Sequence, residues 1–575
     1  MTTNLTRARW NMVSATLISL AAAGALVACG GGDDGDSAAA TPSPVAPASL
    51  TLSGTAAVGI PVAGQTVSVR CSSGGASAVT EPDGSYSVVV PSGAWPCVAQ
   101  VTAASGTVLT TVASGSGTSA IANLTPATEL IVALLVGTDP EAFFQTFDNA
   151  LLAAITAESI TAAQQRMVSI MAAAGVDFTA VGDLLASGFT ASYDAALVAL
   201  DTQLTASGTT LGTLSASIAA ASSPSSVSVS ASLLLQPSAS SCGALRSATY
   251  RILTPTNGAP LSAQSSLISL NAATLAATHS DQSTGTWVPN GACRFTEQHG
   301  NYSADITVTQ AGVLAARYTT DGVTFRNYLG FPEQTHAVGE LAGTWNVLGM
   351  TRVSSATYVG SAGTLTYDSN GALTAATNCQ NNATWAIDVC AAVSGTLLTG
   401  VVPLAADASG GFDLTNPNSL AVTGRLFVFE PGSGDLMMAS VTDKGELFVS
   451  AAIKSVALPA LGFVSSSWNL DNIESFVSAS PVYVTSSTVS SVDSAAGSWT
   501  RARIAVGGTA THPETLFANS PRTGFTHRPS VTVSDSNGAL VTVNEFTSMS
   551  VPGTGFSPLF LTTGTKLFEL STRLP

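Results

Sequence analysis

The chain has 575 residues, with 35 acidic side chains against 19 basic ones, a net charge of −16, 9% charged residues and a mean hydropathy of +0.36. So acidic a balance argues against partners held by charge, nucleic acid and anionic lipid head groups alike. At about 100 to 200 residues per domain the length predicts three or four domains, and beyond the amino terminus no run of about 18 apolar residues offers a membrane span.

Arg7 and Arg9 form a short positive start, Met12 to Val27 is apolar and uncharged, and the small residues Gly24, Ala25 and Ala28 precede Cys29. This is the pattern of a secretory signal. The run is shorter than the ~20 residues of a spanning helix, and Gly30-Gly31-Gly32-Asp33-Asp34 follows where basic stop-transfer residues would stand. Leu26-Val27-Ala28-Cys29 resembles the lipobox of bacterial lipoproteins. The resemblance implies that residues 1–28 are removed as a signal peptide and that Cys29 carries a thioether-linked diacylglycerol and an acylated amino group. Gly30 is not the aspartate that holds some lipoproteins at the inner membrane, so the implied destination is the outer membrane. Two or more acyl chains, at about 0.8 kcal/mol per buried methylene, anchor a protein stably without spanning the bilayer. After Cys29, residues up to 48 are mostly Gly, Asp, Ala, Ser and Pro with no apolar side chain larger than Val45, so 29–48 read as a flexible tether. Asp33-Asp34-Gly35-Asp36 lacks the closing glutamate of a calcium loop and reads as solvated charge.

With Cys29 given to lipid, Cys71, Cys97, Cys242, Cys293, Cys379 and Cys390 remain, an even set that falls into three sequence-local pairs. Six cysteines allow about 15 connectivities, of which neighbours within one domain are the economical choice. In an oxidising envelope each disulfide contributes roughly 3 kcal/mol. There is no Cys-x-x-Cys and no regular Cys/His spacing, so no metal and no cofactor is implied.

The fold class expected is mainly β with a helical middle segment. Residues 49–124 alternate in short strands, Ser49 to Gly54, Gln65 to Arg70, Ser85 to Val90, Val98 to Ala103 and Val108 to Val112. Gly59-Ile60-Pro61-Val62-Ala63-Gly64 with Glu81-Pro82-Asp83-Gly84-Ser85-Tyr86 resembles the carboxypeptidase regulatory-like domain, a small prealbumin-like β-sandwich without catalytic residues of its own. The whole order, lipobox, this sandwich, then Leu124-Thr125-Pro126-Ala127-Thr128-Glu129-Leu130, is similar to uncharacterised proteobacterial lipoproteins.

Thr125-Pro126 is a cap and first-turn signal, and residues 125–222 read as a small helical bundle. Its helices are Pro126 to Val136, one opened by Asp139-Pro140-Glu141 and carrying Phe143, Phe144, Phe147, Leu151 and Ile155, then Thr161 to Ala174 and Asp194 to Leu204. Residues 223–241 read as a Ser-rich linker or a loose strand around Leu233-Leu234-Leu235. From Cys242 to the end an antiparallel β region follows, as one domain or two. Turns at Ala311-Gly312, Ser369-Asn370-Gly371, Asp443-Lys444-Gly445 and Asn537-Gly538 mark hairpins. Gly285-Thr286-Trp287, Gly343-Thr344-Trp345 and Gly497-Ser498-Trp499 resemble the Gly-x-Trp of lipocalin-like barrels, which leaves a calycin-like barrel and a sandwich both open.

The histidines, His279, His299, His336, His512 and His527, show neither His-x-His nor His-Glu-x-x-His spacing, and no Gly-x-Ser-x-Gly, P-loop or dinucleotide fingerprint is present. They read as scattered loop residues, and the proline in His512-Pro513-Glu514 suggests a turn. The function expected is a non-catalytic binding or scaffolding role at the envelope, with the membrane as partner through Cys29 and a protein or glycan as ligand. One alternative is a carrier of a small apolar ligand, with a cavity lined by Phe427, Phe429 and Met438. The other is an envelope hydrolase, which requires His, Asp or Glu to converge in a cleft around a residue such as His512 or His527.

Overall fold

The computed structural model describes residues 49–220, 231–354, 358–379, 390–393, 402–431, 435–472, 476–505, 512–534, 540–561 and 567–574. The expected signal, Cys29, the expected tether, the first part of the expected linker and the expected Asn537-Gly538 turn lie outside these residues. The chain is mainly β with a helical segment between two β regions, and among the described residues no helix is long and apolar enough to cross a membrane.

The first β region is a two-sheet sandwich. Ser85–Val90, Leu50–Thr55 and Ser119–Ile121 form one sheet; Gly75–Val79, Thr66–Ser73, Ala94–Thr102 and Val108–Ala113 form the other. Period-2 alternation buries Tyr86, Val88 and Val90 while Ser87 and Val89 face out. Gly84 sits at φ +80°, and a Cβ there would lie 2.5 Å from the Ala56 carbonyl oxygen, so the Asp83-Gly84 turn admits only glycine. Two strands were not expected from sequence: Gly75–Val79 and Ser119–Ile121 are a five-residue and a three-residue edge strand, with exposed or half-buried side chains that leave no hydrophobic signal.

Thr125 caps Pro126–Val136 reciprocally, its Oγ1 accepting from the Thr128 amide at 3.2 Å and its own amide donating to Thr128 Oγ1 at 2.9 Å. The second expected helix is broken. Phe147 takes φ 51° after Pro140–Thr146, and Asp148 caps a new short helix, Asn149–Ala153, so the expected stripe is broken up: Phe143 and Phe144 stand on the first helix, Leu151 on the second, and Phe147 and Ile155 outside both. Ala157–Ala173 and Ala191–Ser207 extend the helices expected at 161–174 and 194–204, and Leu211–Ala220 adds another. Sandwich and helices share one hydrophobic core from Leu50 to Leu235. In the described part of the expected linker, Leu233 and Leu234 belong to a helical turn rather than a strand, and Leu233, Leu234 and Leu235 are all buried.

Beyond Cys242 the sequence left sandwich and barrel open, and the structure contains two closed eight-stranded barrels. The first runs from Ala248–Leu253 to Arg326–Pro332, which pair with each other to close it. The second runs from Val464–Asn472 to Phe568–Arg573, closed likewise. Between them in sequence, strands from Gly343–Arg352 to Leu447–Ala452 form a nine-stranded sheet among the described residues. Each Gly-x-Trp stands at the start of a strand, in Thr284–Pro289, Gly343–Arg352 and Ser498–Ala505. The outer walls of both barrels are apolar where they meet the middle sheet: Leu329 and Phe331, Leu348, Phe427 and Phe429, and Leu470, Phe568 and Leu570 form one core. Polar contacts bind the barrels to each other, Thr307 Oγ1 lying 3.1 Å from Thr572 Oγ1 and Asn327 Nδ2 donating to Asn472 Oδ1 at 3.0 Å.

Candidate functional site

The six remaining cysteines stand as Cys71–Cys97, Cys242–Cys293 and Cys379–Cys390, each disulfide joining sequence neighbours. Phe427 and Phe429, which the carrier expectation places around a ligand, are buried in the core between sheets, and Met438 is buried in a second core with Trp345. His512-Pro513-Glu514 is strand, not turn. Pro513 sits opposite Ala502, and Glu514 points between Arg501, Arg503 and Arg528; the His512 side chain lies outside the described residues. His336 pairs with Glu340 at 2.8 Å, and His527 stands 3.8 Å from Glu545.

The expectation of scattered histidines is corrected at one place. Glu297 and His299 are two apart on the strand Arg294–His299 and so share its inward face, while His279 ends the strand Ala276–His279 two positions round the first barrel. His279 Nε2 and Glu297 Oε1 are 2.8 Å apart, and His299 Nδ1 is 3.4 Å from the same oxygen. The Glu297 side chain is 0% exposed and the two imidazoles 14% and 20%, placing the carboxylate in the lumen and the rings at its mouth. Gly285 makes the room: a Cβ there would lie 2.1 Å from Glu297 Oε1. Beneath the turn, Ser283 Oγ donates to Asp281 at 2.6 Å and stands 3.4 Å from His299 Nε2. Aromatic rings wall the other side. Tyr302 stacks on His299 with centroids 4.7 Å apart and meets His279 edge-on at 5.4 Å, and Tyr318 and Tyr328 continue the row. Burial raises the Tyr302 and Tyr328 phenols far above their ordinary value, so both stay neutral. Trp287, Phe295 and Ile306 belong to the barrel's apolar core, with Trp287 directly opposite Glu297 on the neighbouring strand.

The second barrel has a polar interior. Ser467, Asn469 and Asp471 alternate with Leu470, which faces the shared core, and Glu569, Ser571 and Arg573 do the same around Leu570. Tyr483 Oη donates to Glu569 Oε2 at 2.9 Å and lies 3.1 Å from Asp471. Burial, with Asp471 close by, raises the Glu569 carboxyl well above the carboxylate range. Burial would do the same to Glu514, but the guanidiniums of Arg501, Arg503 and Arg528 outweigh it and hold that carboxyl low. At one mouth this interior opens into a cleft of about 320 Å³ lined by Phe463, Ser465, Ser467, Trp499, Ser571 and Arg573 among others. Trp499 is half-buried there, and the Arg573 guanidinium lies 4.8 Å over the Phe463 ring. A separate, mostly apolar groove of about 330 Å³ on the middle sheet includes Val347, Leu365, Leu373, Leu414 and Phe448.

No family model and no curated protein matches the chain. Solved structures similar to it in part include two of very low identity. A protein of unknown function from the DUF3598 family of Nostoc punctiforme is 11% identical, with 42% of this chain and 99% of that one covered and a TM-score of 0.14. The isotype 1 transferrin binding protein B of serogroup B Neisseria meningitidis is 9% identical, with 54% of this chain and 62% of that one covered and a TM-score of 0.17. Likenesses at that level assign the chain to no family.

Proposed function

We propose that the chain is an outer-membrane lipoprotein, held by lipid on Cys29, that acts by binding an acidic envelope glycan at the mouth of its last barrel. The observation that carries the reading is the hydroxyl-rich cleft itself. Serine hydroxyls at 465, 467 and 571 suit sugar hydroxyls, the Trp499 ring offers a face for a pyranose, and Arg573, beside a Lys454 that is paired with Asp435, supplies a cation for a sugar carboxylate. Few precisely placed polar groups beside an aromatic wall is the usual composition of such a site. Calorimetric titration of the full chain with acidic envelope oligosaccharides tests it. Trp499→Ala and Arg573→Met are each expected to weaken binding at least tenfold, about 1.4 kcal/mol. Binding that survives both substitutions would move the site elsewhere. The anchor is tested separately: Cys29→Ala should shift the protein from the membrane fraction to the soluble one.

A second reading, the apolar carrier, draws on the groove of the middle sheet and moves the lining from Phe427, Phe429 and Met438 to Val347, Leu365 and Phe448. Fluorescence enhancement of an apolar dye, abolished by Leu365→Asp but not by Trp499→Ala, would favour it over the glycan reading.

A further inference from the structure

We infer that His279, Glu297 and His299 form a binding site for a zinc-class divalent cation in the mouth of the first barrel. Their ligand atoms all lie within 4.8 Å of one another. Tetrahedral zinc with metal–ligand bonds near 2.0–2.1 Å sets its ligands ~3.3 Å apart, so the 3.4 Å from His299 to Glu297 already fits, the 2.8 Å from His279 to Glu297 has to open slightly, and the two imidazole nitrogens, within 4.8 Å of each other, draw in on the ion. Two imidazoles and one carboxylate form a known zinc donor set that leaves a fourth position for water or a ligand.

The hydrogen bonds of the cluster leave a cation-sized deficit. A proton between His279 and Glu297 satisfies that pair alone. Glu297 Oε2 and His299 Nδ1 are buried without a hydrogen-bond partner, although a buried polar atom ordinarily has one. Two unpartnered electron-pair donors beside each other repel; a cation between them and His279 Nε2 removes the conflict in one step. The surroundings prepare His299 for that role. Ser283 Oγ donates its hydrogen bond to Asp281, so toward His299 it acts as acceptor for an Nε2–H, the tautomer that leaves the Nδ1 lone pair turned to Glu297. For the same reason Ser283 is an orienting group and not an activated nucleophile. Tyr302 fixes the planes of both rings, Gly285 is the only residue that leaves space for the carboxylate, and the partly exposed imidazoles give the ion a way in.

The test uses tag-free full chain stripped with chelator and titrated with zinc alone, then with cobalt for its visible spectrum. Uptake of one zinc per chain, with cobalt bands of a four-coordinate N/O site, is expected. Glu297→Gln keeps shape and hydrogen-bonding capacity, and with His299→Ala it is expected to lose at least tenfold in affinity; Ser283→Ala, outside the ligand set, should lose about tenfold. Near-ultraviolet circular dichroism of each variant separates lost ligation from lost folding. Failure of folded wild-type protein to take up zinc, unchanged affinity in a folded Glu297→Gln, or specific labelling of Ser283 by a fluorophosphonate, which would make the cluster an acyl-transfer triad, each overturns the assignment.

Discussion

Glu129 permits a sharp test of how the N-terminal core is held together. It lies in the first turn of Pro126–Val136, only 4% exposed, with Oε2 accepting the Thr110 amide at 2.7 Å and Oε1 3.4 Å from Ser215 Oγ. Burial, offset in part by the Thr110 hydrogen bonds, raises its carboxyl from 4.5 to about 8. Because the folded state then binds the proton more tightly than the unfolded chain, the contribution of the neutral acid is fully present below pH 4.5 and is lost as pH rises through about 8. At ~1.4 kcal/mol per pK unit, the ionised carboxylate costs the fold on the order of 5 kcal/mol at pH 9. Glu129→Gln removes the charge and keeps an acceptor for Thr110 and a donor for Ser215. The variant should therefore match the wild type at pH 4.5 and exceed it by several kcal/mol at pH 9. Urea unfolding at both pH values, read by brief deuterium pulses on peptides spanning 126–136, reports this core without interference from the barrels. Equal wild-type and variant midpoints at pH 9, or a wild-type advantage there, would refute the reasoning.

Other perturbations probe the C-terminal region. Replacing Cys242 and Cys293 by serine opens a separation of 51 residues, for which loop entropy gives about 4 kcal/mol, visible as a lowered urea midpoint of the first barrel. Arg251 is buried between sheets, its guanidinium bonded to both oxygens of Glu333, to the carbonyls of Ser265 and Ser409, and lying 4.5 Å over Phe427. Arg251→Ala should cost roughly 3–5 kcal/mol by leaving those partners unpaired, and thermal melting with and without Glu333→Gln measures how much belongs to the pair. Gly285→Ala pushes a methyl into Glu297 and should destabilise the first barrel by about 1–3 kcal/mol, a loss that Glu297→Ala in the same chain partly relieves.

Local order was readable wherever periodicity and turn chemistry agree. Asp443-Lys444-Gly445 joins Met437–Thr442 to Leu447–Ala452, and Thr125-Pro126 opens its helix, because each signal lies within a few residues. Phe147 shows the limit: its apolar spacing continues a helix, but Asp148 offers a better cap than a helical interior and the chain breaks there. Closure of the barrels was not readable, since pairing Ala248–Leu253 with Arg326–Pro332 joins segments some eighty positions apart. The histidine cluster escaped for the same reason. Only Glu297-x-His299 is local, a two-residue spacing that on a strand puts both side chains on one face; His279 joins them through the registers of the intervening strands, Ala276–His279 against Thr284–Pro289 and that strand against Arg294–His299.

The final barrel closes on its last strand, Phe568–Arg573 beside Val464–Asn472, and its wall completes the oily seam shared with the two sheets before it. Until that strand pairs, the hydrophobic wall that begins at Leu329 has no complete partner and stays unsealed. Pairing of Phe568–Arg573 and consolidation of the C-terminal half thus become one event, and the open seam is the surface at which the half-folded chain would adhere to apolar neighbours.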